Sequence, residues 1–410
     1  MEGAINSGDT AWLLVCCSLV LLMTPALALF YGGMVRSKNV LGTMLQSLAM
    51  ISVISLEWVY IGYSMAFGPD VGGLIGNFSW FALQGVGAAP SAQYATTVPH
   101  LAFMIYQCMF AVITPALITG AFAERVRFWP FVFFSLGWTI LVYNPVCHWV
   151  WGQGGWLGAR GVLDFAGGLV VHLTSGVAAL AAVLVIGPRK GYGRESFIPH
   201  NLPMTVMGTG LLWFGWFGFN AGSALAANGI AATAFVTTHL AGMAGLAMWL
   251  LIEAKHRGRP TTLGAASGAI AGLATVTPAA GFITTNAAVL IGLLAGAFCY
   301  LAVSFKNRLG YDDSLDVVGI HGVGGLLGTV CLGIFASTKV NPAGADGLLA
   351  GNPAFLLTQL FGIVVVGLYA FTVSWGLLKL VNAVAPLRLS LEAERSGLDL
   401  SEHSETAYNT

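Results

Sequence analysis

The feature that most constrains the fold is a series of apolar runs, each long enough to cross a bilayer as a helix. A spanning helix needs about 20 apolar residues, because the hydrocarbon core is about 30 Å thick. The composition agrees, since 57% of the 410 residues are hydrophobic and only 8% are charged. We therefore predict an all-α polytopic membrane protein in a lipid bilayer, with eleven helices at residues 11–31, 40–67, 99–123, 128–148, 164–187, 201–220, 229–253, 261–280, 286–305, 314–335 and 354–384.

The distribution of basic residues predicts the orientation. Only Arg160 and Lys339, of 17 Lys and Arg residues, fall outside the connections on one side. The positive-inside rule then places the N-terminus outside and the C-terminus in the cytoplasm. Residues 1–385 are predicted to form the membrane domain. The polar tail 386–410 is either a regulatory or docking segment or a disordered end. The net charge of zero gives no indication of a nucleic-acid partner.

A repeated element links the fifth and tenth helices. Asp164 precedes His172 by eight residues, and Asp313 precedes His321 by the same spacing. Eight helical residues rise about 12 Å, so each histidine is expected near mid-membrane. Five helices per half require the halves to insert in opposite directions. The spacing therefore predicts an inverted five-helix repeat at about 11–187 and 201–335, followed by an extra helix at about 354–384.

The paired histidines admit two interpretations. Intramembrane ionisable residues often mark a substrate or proton path, and two neutral imidazoles can share one proton. Alternatively, two facing histidines serve as axial ligands of a b-type haem or as part of a metal site. His239 stands alone in its span, which favours a packing role. Glu57 lies within the second span without an obvious basic partner, and the sequence assigns it no role.

Acidic and aromatic residues give weaker indications. Asp164 and Asp313 suit helix N-termini, where a carboxylate caps the chain and meets the positive end of the dipole. Aromatic residues near span ends usually form an interfacial belt. With no acidic cluster on the outer side, they also offer a cation a weak cation–π site. The residues available for such a cation–π site are Phe110, Trp151, Trp216, Phe217 and Phe219, with Ser223 as a hydroxyl acceptor.

Motifs over nearly the whole length resemble one family. They are ALFYGGMVRSKN, GAFAERVRF, WGQGGWL, LDFAGGLVVH, PHNLPM, GWFGFNAGSALAAN, LGAASGAIAGLATVTPAAGF and DVVGIHGVGGLLG. The chain closely resembles the ammonium transporters of the ammonium/methylammonium/Rhesus superfamily. The resemblance implies a homotrimer with one pore per subunit, and Trp151 with Ser223 favours the ammonium-transporter branch. Glu57 and His239 depart from the family pattern as we expect it.

Roles for particular residues follow from the resemblance. Phe110, Trp151 and Ser223 match an outer ammonium recruitment site, supported by Asp164. Phe110 and Phe219 match a stacked phenyl gate. Three further positions match pore or vestibule residues beside the twin histidines His172 and His321, namely Tyr143, Trp216 and Thr277. The tail segment GLDLSEHSETAY resembles the region on which cytoplasmic PII-type signalling proteins act.

The function that this resemblance implies is ammonium transport across a prokaryotic plasma (inner) membrane, with no enzymatic activity and no cofactor. Ammonium is expected to lose its proton below the outer site, because burying an isolated charge is expensive. Ammonia would then pass the two histidines. Whether the proton also crosses stays open. An ammonium sensor with the tail as its output, and a haem-binding redox protein, remain as alternatives.

Overall fold

A computed structural model describes residues 4–408, apart from the side chain of Asn307. In this part of the chain, eleven helices cross the bundle, as the sequence predicts. They are α1 (Ser7–Met34), α2 (Ser37–Phe67), α3 (His100–Phe122), α4 (128–151), α5 (Gly168–Ile186), α6 (Leu202–Gly222), α7 (Gly229–Arg257), α8 (Thr262–Val276), α9 (Thr285–Leu309), α10 (Val318–Phe335) and α11 (Pro353–Val384). Nine of them are individually long and apolar enough to span a membrane.

Short hairpins and helices lie at the two ends of the bundle. Two small antiparallel hairpins occupy the connection between α2 and α3: β1 (Asp70–Val71) pairs with β2 (Ile75–Gly76), and β3 (Pro90–Ser91) pairs with β4 (Ala95–Pro99). At the other end, the tail forms α12 (Leu391–Ser396) and α13 (Leu398–His403). The helices begin where local chemistry favours it, because Asn or Thr side chains accept first-turn N–H groups. These caps are Asn6, Asn201, Asn228, Thr261, Thr284 and Asn352.

Four of the spanning helices contain a widened π turn. The turns are Trp58–Gly62 in α2, Thr139–Tyr143 in α4, Gly168–Leu173 in α5 and Val318–Gly322 in α10. Such turns re-aim side chains and often mark functional sites. His172 and His321 each lie in one of them. The two histidines therefore share a local backbone geometry as well as a sequence spacing.

Helices α5 and α10 approach closely through glycine. A Cβ added to Gly176 would lie 2.2 Å from Cα of Gly322, and one added to Gly325 would lie 2.6 Å from the carbonyl oxygen of Gly168. No larger side chain fits such a contact, and small residues are what allow membrane helices to pack at this distance. The close contact brings the two wide turns, and hence the two histidines, together at the centre of the bundle.

The prediction that a continuous helix joins each Asp to its His is wrong. Helix α5 begins at Gly168 and α10 at Val318, four or five residues after the aspartates. Gly167 turns the chain at a φ of 120°, a conformation open to glycine, before α5 begins. The rise of about 12 Å expected from eight helical residues is therefore not available. The glycine contact between α5 and α10 brings the histidines together instead.

The interpretation of the tail as a disordered end is wrong over its described part, which extends to Tyr408. Asp399 accepts the N–H of Gly42 at 2.8 Å, and Glu402 accepts the N–H of Phe128 at 3.0 Å. The backbone of Leu398 donates to Asn39 at 2.9 Å. The tail is thus folded against the end of the bundle at which α2 and α4 begin.

Candidate functional site

Three cavities lie one behind another through the bundle. The aromatic cavity, about 340 Å³, is open and lies where α4 and α6 end. The central cavity encloses only about 10 Å³ and contains the two histidines. The arginine cavity, about 620 Å³, lies at the end that carries the tail. The predicted site residues concentrate around the first two.

The aromatic cavity brings together Phe110, Trp151, Asp164 and Ser223, four residues that the sequence analysis selects. The indole N–H of Trp151 donates to the carbonyl oxygen of Asp164 at 2.7 Å. Because that donor is occupied, Trp151 offers its ring to a cation. The ring stands edge-on to Phe110, with centroids 6.2 Å apart. Such an arrangement suits cation–π attraction.

Ser223 contributes an oriented hydroxyl to this cavity. Its Oγ donates to the carbonyl oxygen of Phe219 at 2.9 Å, which leaves oxygen lone pairs available as acceptors. Tyr106 supports this end of α6, because its hydroxyl lies 2.9 Å from the carbonyl oxygens of Gly218 and Phe219 and 3.3 Å from Ser223 Oγ. Tyr106 was not predicted as a site residue, because its partners lie more than a hundred residues away in sequence.

Asp164 is buried, and its carboxylate is fully used by the backbone. One oxygen accepts the N–H groups of Gly167 and Gly168, and the other accepts those of Leu169 and Val170, at 2.7–3.1 Å. This arrangement satisfies the first N–H groups of α5 and places negative charge at its positive end. The side chain therefore shapes the cavity wall and the position of Trp151. Asp313 makes the equivalent bonds at the start of α10, from Val317 and Val318.

Two phenyl rings close the inner end of the aromatic cavity. The rings of Phe110 and Phe219 are buried, with centroids 4.3 Å apart and planes tilted by 35°. On the far side, the imidazole of His172 stacks on Phe219 at 6.0 Å. A molecule that passes from the aromatic to the central cavity must displace this contact.

The histidine pair is present as the sequence predicts. The Nδ1 atoms of His172 and His321 lie 3.2 Å apart, and their ring centroids lie 5.2 Å apart. A hydrogen bond between these atoms needs one Nδ1–H and one bare Nδ1, which fixes opposite tautomers in a neutral pair. One Nε2 is then a donor and the other an acceptor. The Nε2 of His172 is buried and has no hydrogen-bond partner within the described residues.

Apart from these imidazoles, the central cavity has mainly aliphatic and aromatic walls. Its volume of about 10 Å³ corresponds to roughly one water-sized molecule. Trp216 forms part of the wall and stacks on His172 at 5.5 Å. Its indole N–H donates to Thr277 Oγ1 at 3.0 Å, so Thr277 positions the indole from outside the cavity. The remaining wall residues are Met23, Leu27, Phe30, Ile113, Leu117, Val171, Leu212, Phe219 and Ile270.

Other predicted or unassigned residues lie apart from the cavities. Tyr143 is fully buried in the wide turn of α4, beside Trp58 at a ring distance of 6.3 Å, and does not line any of the three cavities. Glu57, to which the sequence assigns no role, accepts the amide N–H of Asn144 at 2.8 Å in the buried interface of α2 and α4. His239 lies on the bundle surface against Trp213 and Phe217.

An ion-pair network with no local sequence signal joins loops at the arginine cavity, whose wall includes Arg189 and Asp312. Arg189 donates to Asp312 at 2.9 Å and to Glu124 at 3.2 Å, and Arg36 donates to Glu124 at 2.8 Å. Burial alone would raise the pKa of Glu124 and of Asp312. The hydrogen bonds and charges of the arginines outweigh burial, so both carboxyl pKa values are lowered.

The haem interpretation does not fit this geometry. The two Nδ1 atoms are in direct hydrogen-bond contact, so no slot for a porphyrin exists between them. In the part of the chain that the structure describes, no group of three or more His, Cys, Asp or Glu side chains is arranged to hold a metal ion.

Comparison with known proteins points to a single family. Residues 11–408 match the Ammonium Transporter Family. An ammonium transporter of Bacillus subtilis (strain 168) is 51% identical over 405 residues, which cover 98% of this chain and 99% of the relative. Ammonium transporter Amt1 of Archaeoglobus fulgidus is 46% identical over 404 residues, covering 98% of this chain and 100% of the relative.

Solved structures agree with the sequence relatives. The crystal structure of Saccharomyces cerevisiae Mep2 superposes with a TM-score of 0.89 at 38% identity, covering 95% of this chain and 88% of Mep2. A sensor Amt protein gives the same TM-score at 30% identity and covers 97% of this chain and 98% of that protein. The predicted fold and family are confirmed: this chain is a multi-pass membrane protein that belongs to the ammonium transporter family.

Proposed function

We propose that the protein binds ammonium in the aromatic cavity, removes its proton there, and conducts ammonia through the phenyl gate and past the histidine pair. The observation that carries this proposal is the central cavity. It holds about one small molecule, and its polar side chains are two imidazoles in mutual contact. An ion would lose its hydration in this cavity without gaining a counter-charge, which is expensive.

The neutral pair suits ammonia because ammonia both donates and accepts hydrogen bonds. The bare Nε2 accepts an ammonia N–H, and the protonated Nε2 donates to the ammonia lone pair. The buried Nε2 of His172, which has no hydrogen-bond partner in the described part of the chain, is one such group. A potassium or sodium ion finds no such match. Selection then rests on the ability of ammonium to give up a proton.

The route of the proton divides the proposal into two versions. The shared Nδ1 contact gives a path along which a proton can be passed from ring to ring. If the proton follows, an ammonium pulse to proteoliposomes produces a current. If it returns outside, ammonia enters without current and the vesicle lumen becomes alkaline. Current and internal pH recorded together separate these versions.

Assembly, orientation and regulation are part of the same proposal. We infer a homotrimer in the plasma (inner) membrane with the N-terminus outside, supported by family membership and by the basic residues at the tail end. The aromatic cavity then faces outward. The folded tail and the arginine cavity form the surface that a cytoplasmic PII-type signalling protein contacts.

Trp151→Leu tests the recruitment step. Loss of the indole face should weaken ammonium binding by roughly 0.5–2 kcal/mol, the usual range for a cation–π contact. The ammonium concentration for half-maximal transport should rise about two- to thirtyfold. Maximal transport should persist, because the gate and the histidines are unchanged. Trp129→Leu, which alters an exposed tryptophan at the other end of α4, is the control. If the ammonium concentration for half-maximal transport is unchanged, Trp151 is not part of the ammonium-binding site.

The sensor function is the second candidate, because a sensor Amt protein is similar over 97% of this chain. A sensor binds ammonium at the same cavity without net flux. Wild-type proteoliposomes that bind ammonium, yet show neither current nor a change of internal pH, would favour the sensor and exclude transport.

A further inference from the structure

A buried histidine lies about one helical turn before Trp151 in α4. The side chain of His148 is 0% exposed, and Trp151 is the last residue of the helix. Side chains three residues apart are neighbours on a helix surface, so the contacts that fix His148 also fix the backbone from which the indole of Trp151 extends. The surroundings of His148 therefore bear on the aromatic cavity.

Both ring nitrogens of His148 face oxygen atoms that accept hydrogen bonds. Nδ1 lies 3.0 Å from the carbonyl oxygen of Ala66, and Nε2 lies 3.0 Å from a carboxylate oxygen of Asp70 in β1. A carbonyl oxygen can only accept, so Nδ1 carries a hydrogen. A neutral ring would then turn a bare Nε2 toward the carboxylate. The Asp70–His148 contact therefore requires a further proton, which the two side chains share.

The backbone holds Asp70 in place for this contact. The same carboxylate oxygen accepts the N–H of Gly73 at 2.7 Å, within the hairpin of β1 and β2. The side chain of Asp70 is 30% exposed, so its charge keeps part of its hydration. Hydrogen bonds to a charged partner are roughly twice as strong as neutral ones. The Asp70–His148 contact thus links the hairpin firmly to the end of α4.

The chain that follows Trp151 packs against the same two side chains. A Cβ added to Gly152 would lie 2.5 Å from Nδ1 of His148. One added to Gly154, whose φ is 87°, would lie 2.7 Å from Cβ of Asp70. Only glycine allows both approaches. Trp151 therefore lies between a helical turn and a loop that are both packed on the Asp70–His148 contact.

We propose that Asp70, acting through His148, is a positioning residue for Trp151. The inference rests on the proposed function, in which the ring of Trp151 binds ammonium. Neither Asp70 nor His148 lines the aromatic cavity, so neither contacts the ion. The carbonyl oxygen of Asp164 fixes the indole N–H, and the Asp70–His148 contact fixes the backbone of Trp151. Ammonium then meets a ring that is already in place, and preorganisation of this kind increases affinity.

Ammonium transport by proteoliposomes containing Asp70→Ala tests this role. The variant removes the carboxylate that faces Nε2 of His148. The ammonium concentration for half-maximal transport should rise about three- to tenfold, within the range of about two- to thirtyfold expected for Trp151→Leu, because the effect passes through that residue. Maximal transport should be unchanged, since the phenyl gate and the pore histidines are intact. Asp70→Glu restores a carboxylate and should recover most of the affinity.

A double-mutant cycle separates positioning from a general structural or electrostatic effect. In the Trp151→Leu background, Asp70→Ala should change the half-maximal concentration no further, because the positioned ring is already absent. Asp346→Ala is the matched control and should behave as wild type. Asp346 is an acid of the connection between α10 and α11 that likewise accepts a backbone N–H, from Thr338 at 2.8 Å.

The proposal is wrong if Asp70→Ala raises the half-maximal concentration equally with and without Trp151, or if Asp346→Ala raises it as much. An effect of Trp151→Leu without one of Asp70→Ala would overturn this inference alone. No effect of either variant would overturn the proposed recruitment site as well. Asp70 is partly exposed on a hairpin, so Asp70→Ala should fold, which size-exclusion chromatography checks. Asp70→Ser, a second uncharged variant, should give the same shift.

Discussion

Glu124 illustrates how single residues stabilise the tail-side end of the bundle. Its backbone has a φ of 74°, a conformation rare for residues other than glycine, and its carboxylate binds Arg36 and Arg189. Its lowered pKa means that its contribution to stability is complete above its unfolded pKa, near the ordinary value of 4.5, and is lost as pH falls through the lower folded value. The pKa of Asp312 is also lowered from its ordinary value of 3.8, so its contribution to stability is likewise lost as the pH falls.

Glu124→Gln should therefore lower the free energy of unfolding at pH 7 by roughly 1.5–3 kcal/mol, the usual contribution of hydrogen bonds to a charged group, because Arg36 and Arg189 lose the carboxylate while Arg189 keeps Asp312. The thermal midpoint of wild type should fall as the pH is lowered below about 4.5, whereas that of the variant should fall less. Thermal unfolding of the detergent-solubilised protein between pH 3 and 7 measures both. Glu392→Gln changes an exposed carboxylate and should match wild type. If the thermal midpoints of wild type and Glu124→Gln fall equally as the pH is lowered, Glu124 does not contribute to the loss of stability in acid.

At this scale the sequence could predict residues whose signal is local or repeated. His172 and His321 stand at matched spacings in matching helices, so their pairing was predictable. Tyr106 reads as an ordinary aromatic residue of α3, and Arg189 as an ordinary loop cation. Their roles depend on Gly218 and Asp312, each more than a hundred residues away, and no local pattern encodes those contacts.

At the scale of elements, the spans were predictable and their beginnings were not. Apolar length predicts a membrane helix, because the bilayer excludes unpaired backbone groups. The same apolar run includes the turn from Asp164 to Gly167, and the N–H groups of residues 167–170 bond to the side chain of Asp164 where a longer helix would supply carbonyl oxygens. Hydropathy does not distinguish backbone N–H groups that bond within a helix from those that bond to a side chain. It also does not predict the wide turns of α5 and α10.

The tail is the element whose behaviour the sequence left open. Its described part docks through groups such as the Glu394 carboxylate, which accepts the N–H of Lys190 at 2.6 Å. Deleting the residues after Arg388 should leave the oligomer intact, because no spanning helix is lost. It should abolish binding of a purified PII-type protein in a pull-down, since the proposed contact surface is removed.

Tyr408→Phe is the control for that deletion, because it removes only the hydroxyl that meets His200 at 2.9 Å. It should retain the partner. Size-exclusion chromatography checks the oligomer of each variant. If the full-length and truncated proteins recover the PII-type protein equally, the tail is not the contact surface and the contact lies in the loop at residues 188–200.

At the scale of the whole molecule, the three cavities follow from how the helices cross. The aromatic cavity and the arginine cavity are polar and open, whereas the central cavity is small and apolar apart from its imidazoles. A charged solute can enter either end but meets a high desolvation cost between them. The sequence predicts a bundle of this size and the pair at its centre. The cavity volumes depend on side-chain packing between distant helices, which sequence patterns do not specify.

The most direct test of the account is the ammonium-driven response of proteoliposomes containing His172→Leu/His321→Leu. Removing both imidazoles together leaves neither without its partner, so the oligomer should stay stable. His239→Leu, outside the path, should behave as wild type. We predict that the double variant loses ammonium current, or loses proton coupling while ammonia still passes. Wild-type current with wild-type ion selectivity in the double variant would show that the histidines only pack, and would contradict the proposed mechanism.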